Sequence, residues 1–487
     1  MRIINSDTIN TEEKNTAALF LFSKKKALFS YTKIKELDSV VTKFSKELEK
    51  RPACEFSLEG GADAFRVILA DISSVKGQER SEALKILIKR KIDSCRNMGI
   101  KKLIIVAAEV PLETVCAAAE AYYTGTYGFK KYLSDPDKKK NPEIIIAVSR
   151  ADSTLRKMVK EKKAVFSAIN RARDIVNETG EVANPEGIEK AVRKMMQGKG
   201  LKISIINAPE LKKQGYNGLV TVGKGSVCPP RMMIIRYMPG GKNNSRKKLA
   251  LVGKGISFDT GGICLKPGKE MWEMKCDMAG AAAVAGIMAS MDVIKPSFPV
   301  VGILALAENM IGSGAVRPGD IFRAKNGKTV MVDNTDAEGR LVLSDALCRA
   351  GEEKATHIID FATLTGACLV ALGESISAIM GNDEKLTRAV IDSGKKEGDA
   401  VWELPLFPEY REKLKTPYAD INNVGGREAG TITAGLFLSE FVPKGAKWAH
   451  MDIAGTAFRG RPWKYYAEGA TGIPAKTIVR LIKDAVF

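Results

Sequence analysis

Apolar positions along this chain fall into short continuous runs, separated by stretches in which they recur every three or four residues. In the first third, Phe65 to Leu69, Lys102 to Ala107 and Asn141 to Val148 are runs of the kind that buried strands show. Glu82 to Met98 carries helical spacing between them. Strands alternating with helices predict an α/β unit. Asp135 to Asn141, with proline and repeated lysine, reads as a polar loop leading into the last of these strands. From Ser153 to Glu178 there is neither proline nor glycine, and Val159, Val165, Phe166, Ile169 and Val176 supply an interrupted apolar stripe. This predicts one long helix able to link two domains. Gly180 to Pro185 ends it, and Asn184-Pro185 opens the next helix.

The remainder repeats the alternation. Leu249 to Val252, Val300 to Ala305, Ile358 to Phe361 and Trp448 to Ile453 read as buried strands. Ala279 to Met291, Leu341 to Ala350 and Pro474 to Val486 read as helices. The expected division is residues 1–152 as a smaller N-terminal α/β domain, 153–183 as linker helix and connection, and 184–487 as a larger α/β domain. A chain of 487 residues exceeds one ordinary core, so two domains are in keeping with its length.

Composition narrows the class. Hydrophobic residues at 45% and charged residues at 27% describe a globular protein. No apolar run approaches a membrane span by inspection; Ala17 to Phe22 is far too short. The first residues, with Glu12, Glu13 and Lys14, do not read as a secretory signal, so the expected location is the cytoplasm. Eight cysteines occur without a CxxC pair; Cys264, Cys276, Cys348 and Cys368 lie among small or apolar neighbours and read as reduced thiols. His357 and His450 are the only histidines, which excludes most zinc sites built from imidazole. The net charge of +19 is denser in the first 180 residues, with clusters at Lys24 to Lys26, Lys138 to Lys140 and Arg156 to Lys163. Such clusters are either a solvated surface or a footprint for acidic partners such as DNA.

The chemistry concentrates in two segments. Asn334-Thr335-Asp336-Ala337-Glu338-Gly339-Arg340-Leu341 places two carboxylates and a guanidinium within five residues. Upstream, Lys254 and Asp259 follow the strand Leu249 to Val252 in what reads as a glycine-rich loop, with Gly255, Gly261 and Gly262 allowing sharp bends. Asp277 stands at the start of the helix after Lys275-Cys276. Taken singly, Asp277 could be an N-cap, and Asp336 and Glu338 could simply favour a helix N-terminus. Taken together, the acids sit at strand-to-helix junctions, where open α/β sheets collect their ligands. Carboxylates so gathered repel one another unless a cation is present. Lys254, Asp259, Asp277, Asp336 and Glu338 are therefore candidate ligands for divalent metal, as in two-metal hydrolysis. An amine ligand must be neutral, which requires Lys254 to have a depressed pKa. Lys266 and Arg340 remain to meet the substrate, one of them able to stabilise an oxyanion.

These segments resemble the leucine aminopeptidase family (cytosol aminopeptidases, bacterial aminopeptidase A). NTDAEGRL at 334–341 matches its signature, and VGKGISFDTGGICLKP at 252–267 and MKCDMAGAA at 274–282 match in order and spacing. So do DFATLTGA at 360–367, NNVGGREAGTITAGLFL at 422–438 and HMDIAGTA at 450–457. The resemblance covers the C-terminal part; the N-terminal third is similar only in architecture. It implies a macro-like N-terminal α/β domain and a mixed-sheet di-metal peptidase domain joined by a long helix. It also implies removal of an N-terminal residue, leucine or another apolar one, from peptides by a metal-bridging water. Lys254, Asp259, Asp277 and Glu338 would surround the tighter metal. Asp259, Asp336 and Glu338 would hold the more exchangeable one. The metals would be Zn²⁺ or Mn²⁺, with Mg²⁺ or Co²⁺ as alternatives. Lys266 would stabilise the oxyanion and Arg340 would hold a bicarbonate as general base. Met274, Thr363, Gly366, Ala454 and Ala457 would form the pocket for the first side chain. The resemblance further implies a homohexamer acting on peptides with a free N-terminus, without membrane. A DNA-binding architectural or regulatory role is the alternative, as a second activity or in place of the first. A two-metal phosphoesterase is a third reading, disfavoured by the lysine ligand and the scarcity of histidine.

Overall fold

Two large sheets organise the protein. The structure, a computed structural model, describes residues 1–5, 16–22, 53–57, 66–71, 77–107, 111–135, 139–148, 150–240 and 246–487. The chain divides into two units, Met1–Phe166 with Pro462–Ala467, and Ser167–Arg461 with Glu468–Phe487. The cut falls inside a single helix, Ser153–Asn177, which starts and ends within a residue of the stretch that lacks proline and glycine.

The first unit holds a six-stranded sheet in the order Arg2–Asn5, Glu143–Val148, Lys102–Ala107, Thr16–Phe22, Arg66–Asp71, Ala53–Ser57. All neighbours run parallel except the last pair. Its core joins Leu103, Ile105, Ile144 and Ile146 of the strands to Leu84, Ile88 and Ile92 of the helix Gly77–Asn97. Of the basic clusters, Lys24 to Lys26 and Lys138 lie outside the described residues, and Lys139 and Lys140 are exposed.

The second unit is built on an eight-stranded mixed sheet. Its order is Ala400–Glu403, Ile376–Gly381, Lys447–Asp452, His357–Ala362, Leu249–Asp259, Val300–Asn309, Arg231–Tyr237, Lys202–Asn207. The central four, from Lys447–Asp452 to Val300–Asn309, are parallel, and antiparallel pairings follow on either side. The central strands are covered on both faces, as their continuous apolar runs require. Helices Ala279–Met288 and Gly339–Glu352 both pack on the strands Leu249–Asp259 and Val300–Asn309.

Three sequence expectations change here. The strand that begins at Leu249 does not stop at Val252 but runs to Asp259, so Lys254 lies in mid-strand rather than in a loop. Its flanking glycines do not bend the chain. They let a helix approach: a Cβ on Gly253 would stand 2.6 Å from the backbone nitrogen of Ala281. The helix expected over Ala279 to Met291 ends at Met288, and Asp277 belongs to a preceding 3₁₀ turn, Met271–Met278. Met278, not Asp277, stands at the N-cap position, so the capping role is not what Asp277 does. Finally, Met271–Ile294, at 24 residues, is long and apolar enough by composition to cross a bilayer. It is instead broken into a 3₁₀ turn and two helices, with 83% of its most apolar window buried inside the protein. A helix covered by protein on all sides carries the same apolar composition as one covered by lipid.

Candidate active site

Parallel register sets the site's back wall. Asp259 closes its strand directly beside Asn309, the last residue of the neighbouring strand. Asn309 Nδ2 donates to Asp259 Oδ1 at 2.8 Å, and the backbone N–H of Gly261 donates to the same oxygen at 2.9 Å. The chain can turn back there because Gly261 has a φ of 87°, a left-handed conformation costly for any residue with a Cβ. Thr335 ties this turn to the acidic loop: its hydroxyl donates to Gly261 O at 2.6 Å and accepts from Cys264 N at 2.8 Å.

The acidic loop is held from behind by Asn423, a fully buried residue. Its Oδ1 accepts from Asp333 N at 2.9 Å and Asn334 N at 3.2 Å, and its Nδ2 donates to Asn334 O at 2.7 Å. Arg340 Nη1 donates to the Asn423 carbonyl at 2.7 Å. Arg340 Nε is buried without a hydrogen-bond partner, and burial lowers the guanidinium pKa to about 10. The carboxylate of Glu338 makes no cap on the helix Gly339–Glu352 although it stands at the N-cap position. It is aimed at the centre.

There the charges converge. Lys254 Nζ lies 2.9 Å from Asp277 Oδ2 and 2.7 Å from Glu338 Oε1, and donates to Thr363 O at 2.9 Å. Glycine at 339 is what lets Lys254 lie down in this space, since a Cβ there would come within 2.6 Å of Nζ. Lys266 Nζ pairs with Asp259 Oδ2 at 3.0 Å and with Asp336. Lys254 and Glu338 are fully buried in the cluster, whereas the side chains of Lys266 and Asp336 retain 23% and 32% exposure and so mark its open side. Thr363 Oγ1 donates to Asp277 Oδ1 at 2.7 Å.

Burial would depress the Lys254 ammonium, but Asp277, Glu338 and Asp259 outweigh it and the pKa is raised. Lys266 follows the same logic through Asp259, Glu338 and Asp336. The depressed Lys254 pKa expected from the sequence is thus not a property of the protein groups alone, because three carboxylates face one amine. Three of the acids in turn are hard to ionise. Burial, then Asp259, raises Glu338 and Asp336, and burial with Glu338 and Asp259 raises Asp277 well above the usual carboxylate range. Four carboxylates facing two ammonium groups leave negative charge unbalanced.

Divalent cations fit that imbalance. Oxygens of Asp259, Asp336 and Glu338 lie within 4.8 Å of one another, and Glu338 Oε2 is buried with no hydrogen-bond partner. An all-oxygen donor set with one amine beside it suits hard or borderline ions.

The expected pocket residues are placed less uniformly. Met274 lies on the 3₁₀ turn that carries Asp277, and Thr363 bonds to that acid. Ala454 and Leu364 donate their backbone N–H groups to the same oxygen of Asp452, each at 3.1 Å, which brings the 363–366 and 454 turns together. Gly366 faces open space. Ala457 is only 2% exposed and lines a small internal cavity with Ala279 and Ala282. Asn309, Asn423 and Asp452 were not singled out from the sequence. Two of them lie in segments whose resemblance is plain, but nothing local distinguishes a supporting Asn or Asp from a solvated one.

The pattern of the cytosol aminopeptidase family, catalytic domain, matches residues 170–479. A probable cytosol aminopeptidase of Persephonella marina is 45% identical over 368 residues, covering 75% of this chain and 73% of that one. One from Aquifex aeolicus is 39% identical over 423 residues, covering 87% and 82%. Among solved structures, the bottromycin maturation enzyme BotP in complex with Mn is similar with a TM-score of 0.83 at 29% identity, over 97% of this chain and 100% of that one.

Proposed function

The chain belongs to the cytosol aminopeptidase family and is a metallo-aminopeptidase, and from that premise we propose that it removes leucine or a similar apolar residue from peptides with a free N-terminus. The observation that carries this reading is the convergence of Asp259, Asp336 and Glu338 on one point, with a lysine on either side. Lys254, Asp259, Asp277 and Glu338 would hold one divalent cation, and Asp259, Asp336 and Glu338 a second. Zn²⁺ or Mn²⁺ suits both, and the similarity to an enzyme solved with Mn adds weight to the latter. Bound there, such cations supply Lewis acidity that activates water and polarises the peptide carbonyl.

The chain's own residues do the rest. Lys254, beside Asp277 and Glu338, would hold the cation through its amine in the neutral form. Asp277 accepts from the substrate's free α-amine, which confines cleavage to the first residue. Lys266, at the open side, turns from Asp259 and Asp336 to donate to the oxyanion as it develops. Arg340, fixed by the Asn423 carbonyl, would hold a bicarbonate whose chemistry is that of a general base. Met274, Thr363, Gly366 and Ala454 offer the small and apolar surroundings that suit a leucine side chain, with Ala457 behind them. We place the activity in the cytoplasm and in a homohexamer, whose mass sedimentation would report. The DNA-binding alternative gains no support from the comparisons.

Hydrolysis of leucine 4-nitroanilide and of leucyl peptides, free or acetylated at the N-terminus, tests the proposal. Chelation should abolish turnover of the free substrates, added Mn²⁺ or Zn²⁺ should restore it, and the acetylated peptide should resist. Turnover that survives demetallation, or equal cleavage of the acetylated peptide, overturns it.

A further inference from the structure

Beyond the metal-binding acids, one more carboxylate is buried at the end of a central strand and faces the turns that carry the pocket. Asp452 closes the strand Lys447–Asp452 and is fully buried. Oδ1 accepts from the backbone N–H of Leu364 and of Ala454, each at 3.1 Å. Oδ2 accepts from Thr365 Oγ1 at 2.7 Å. Thr365 Oγ1 lies 2.9 Å from Thr431 Oγ1, on the helix Gly430–Ser439. A hydroxyl has one proton. With Asp452 ionised it can only accept, so Thr365 donates to it and Thr431 donates to Thr365, and the direction of the chain of bonds is set by the carboxylate.

This matters because of what the tied segments hold. Thr363, one residue before Leu364, binds Asp277 through its hydroxyl and Lys254 through its carbonyl. Gly366 and Ala454 follow Thr365 and Asp452 closely in the chain. No other described side chain accepts from the backbone of both turns. We propose that Asp452, through Thr365 and Thr431, is the positioning residue that fixes the shape of the first-side-chain pocket and hence the choice of N-terminal residue. This rests on the aminopeptidase reading above and adds to it a determinant of specificity that touches neither metal nor substrate.

The chemistry predicts which substitutions matter. Asp452→Asn can keep an oxygen toward Leu364 and Ala454, but it turns an NH₂ group toward Thr365. The hydroxyl must then rotate and donate to Thr431 instead, reversing the chain. Thr365→Val keeps the shape and removes the donor. Thr365→Ser keeps the donor. Across leucine, alanine and phenylalanine 4-nitroanilides, Asp452→Asn and Thr365→Val should change the leucine-to-alanine ratio of kcat/KM by about tenfold or more, the size expected when a pocket wall shifts. Thr365→Ser should restore the wild-type ratio, and bound metal should stay at the wild-type level in all three.

Folded, metal-loaded variants whose ratio stays within about twofold of wild type, or that lose activity equally on every substrate, overturn the inference. So does loss of metal in Thr365→Val, which would make the network a support for the metal ligands instead. Should Asp452→Asn fail to fold, the Thr365→Val and Thr365→Ser pair decides alone. A wild-type chain inactive on all three substrates overturns the aminopeptidase reading together with this one, whereas an active wild type with unchanged variants overturns this one only.

Discussion

Lys254 and Lys266 are the same residue type twelve positions apart, and the structure gives them different surroundings. Lys254 is closed in by Asp277, Glu338 and the Thr363 carbonyl, with no side open to a substrate. Lys266 pairs with Asp259 and Asp336 at the exposed edge, where it can exchange partners. Opposite consequences are expected for the residues they serve. Glu338→Ala should lose bound metal and turnover together, since it takes away the buried oxygen with no other partner. Lys266→Ala should keep its metal and lose roughly two to three orders of magnitude in kcat, the usual effect of deleting an oxyanion donor. Metal analysis beside steady-state kinetics separates the two, and a Lys266→Ala protein without metal rejects the oxyanion role.

The helix Gly339–Glu352 serves both the site and the fold. Its first turn presents Arg340, and one turn further on Asp345 points the carboxylate at another helix. Asp345 Oδ2 accepts from Leu219 N at 2.8 Å, at the start of the helix Asn217–Gly223. Burial raises the Asp345 pKa to about 8, against the lowering effect of the N–H groups of Leu219 and Gly218. The sign follows from linkage. The folded form keeps a proton that the unfolded chain releases near its ordinary carboxylate pKa. Asp345 therefore contributes fully below about pH 4, and its contribution is lost as pH rises toward 8, by up to about 1.4 kcal/mol per pH unit. Asp345→Asn carries no such titration. Its stability relative to wild type, from urea unfolding, should rise between pH 5 and pH 8. A difference that is flat over that range would show that Asp345 does not titrate there.

For the whole protein, the charge imbalance at the site is a cost of folding that cations relieve. Asp259, Asp277, Asp336 and Glu338 are brought together only in the folded state, and Lys254 and Lys266 offset them in part. A cation that binds this arrangement and not the unfolded chain stabilises it by roughly 2.7 kcal/mol at a hundred times its Kd. Thermal unfolding should accordingly shift upward with Mn²⁺ and return on chelation, and Glu338→Ala should abolish the shift. An equal shift in that variant would place the stabilising cation elsewhere.

Much of this was readable from the chain itself. Buried parallel strands announce themselves as unbroken apolar runs, so Lys102–Ala107 is found to the residue and His357–Ala362 and Lys447–Asp452 to within one. Arg231–Tyr237 and Ile376–Gly381 carry no such mark: arginines bound a run of only four apolar residues in the first, and Ser377, Ala378 and Gly381 in the second suit a turn as well as a strand. The acids and lysines of the site were legible because each stands in a segment whose order and spacing are specific. What tertiary structure alone decided is the role of the residues around them. The glycines beside Lys254 look like a bend until a helix is seen lying against them. Asn309 becomes a partner of Asp259 only because two strands end in register, Asn423 holds the backbone of Asn334 from 89 positions away, and Asp452 ties Leu364, 88 positions back, to its near neighbour Ala454. Hydrogen bonds to backbone distant in the chain leave no trace in residue type or spacing, and only folding brings those partners together.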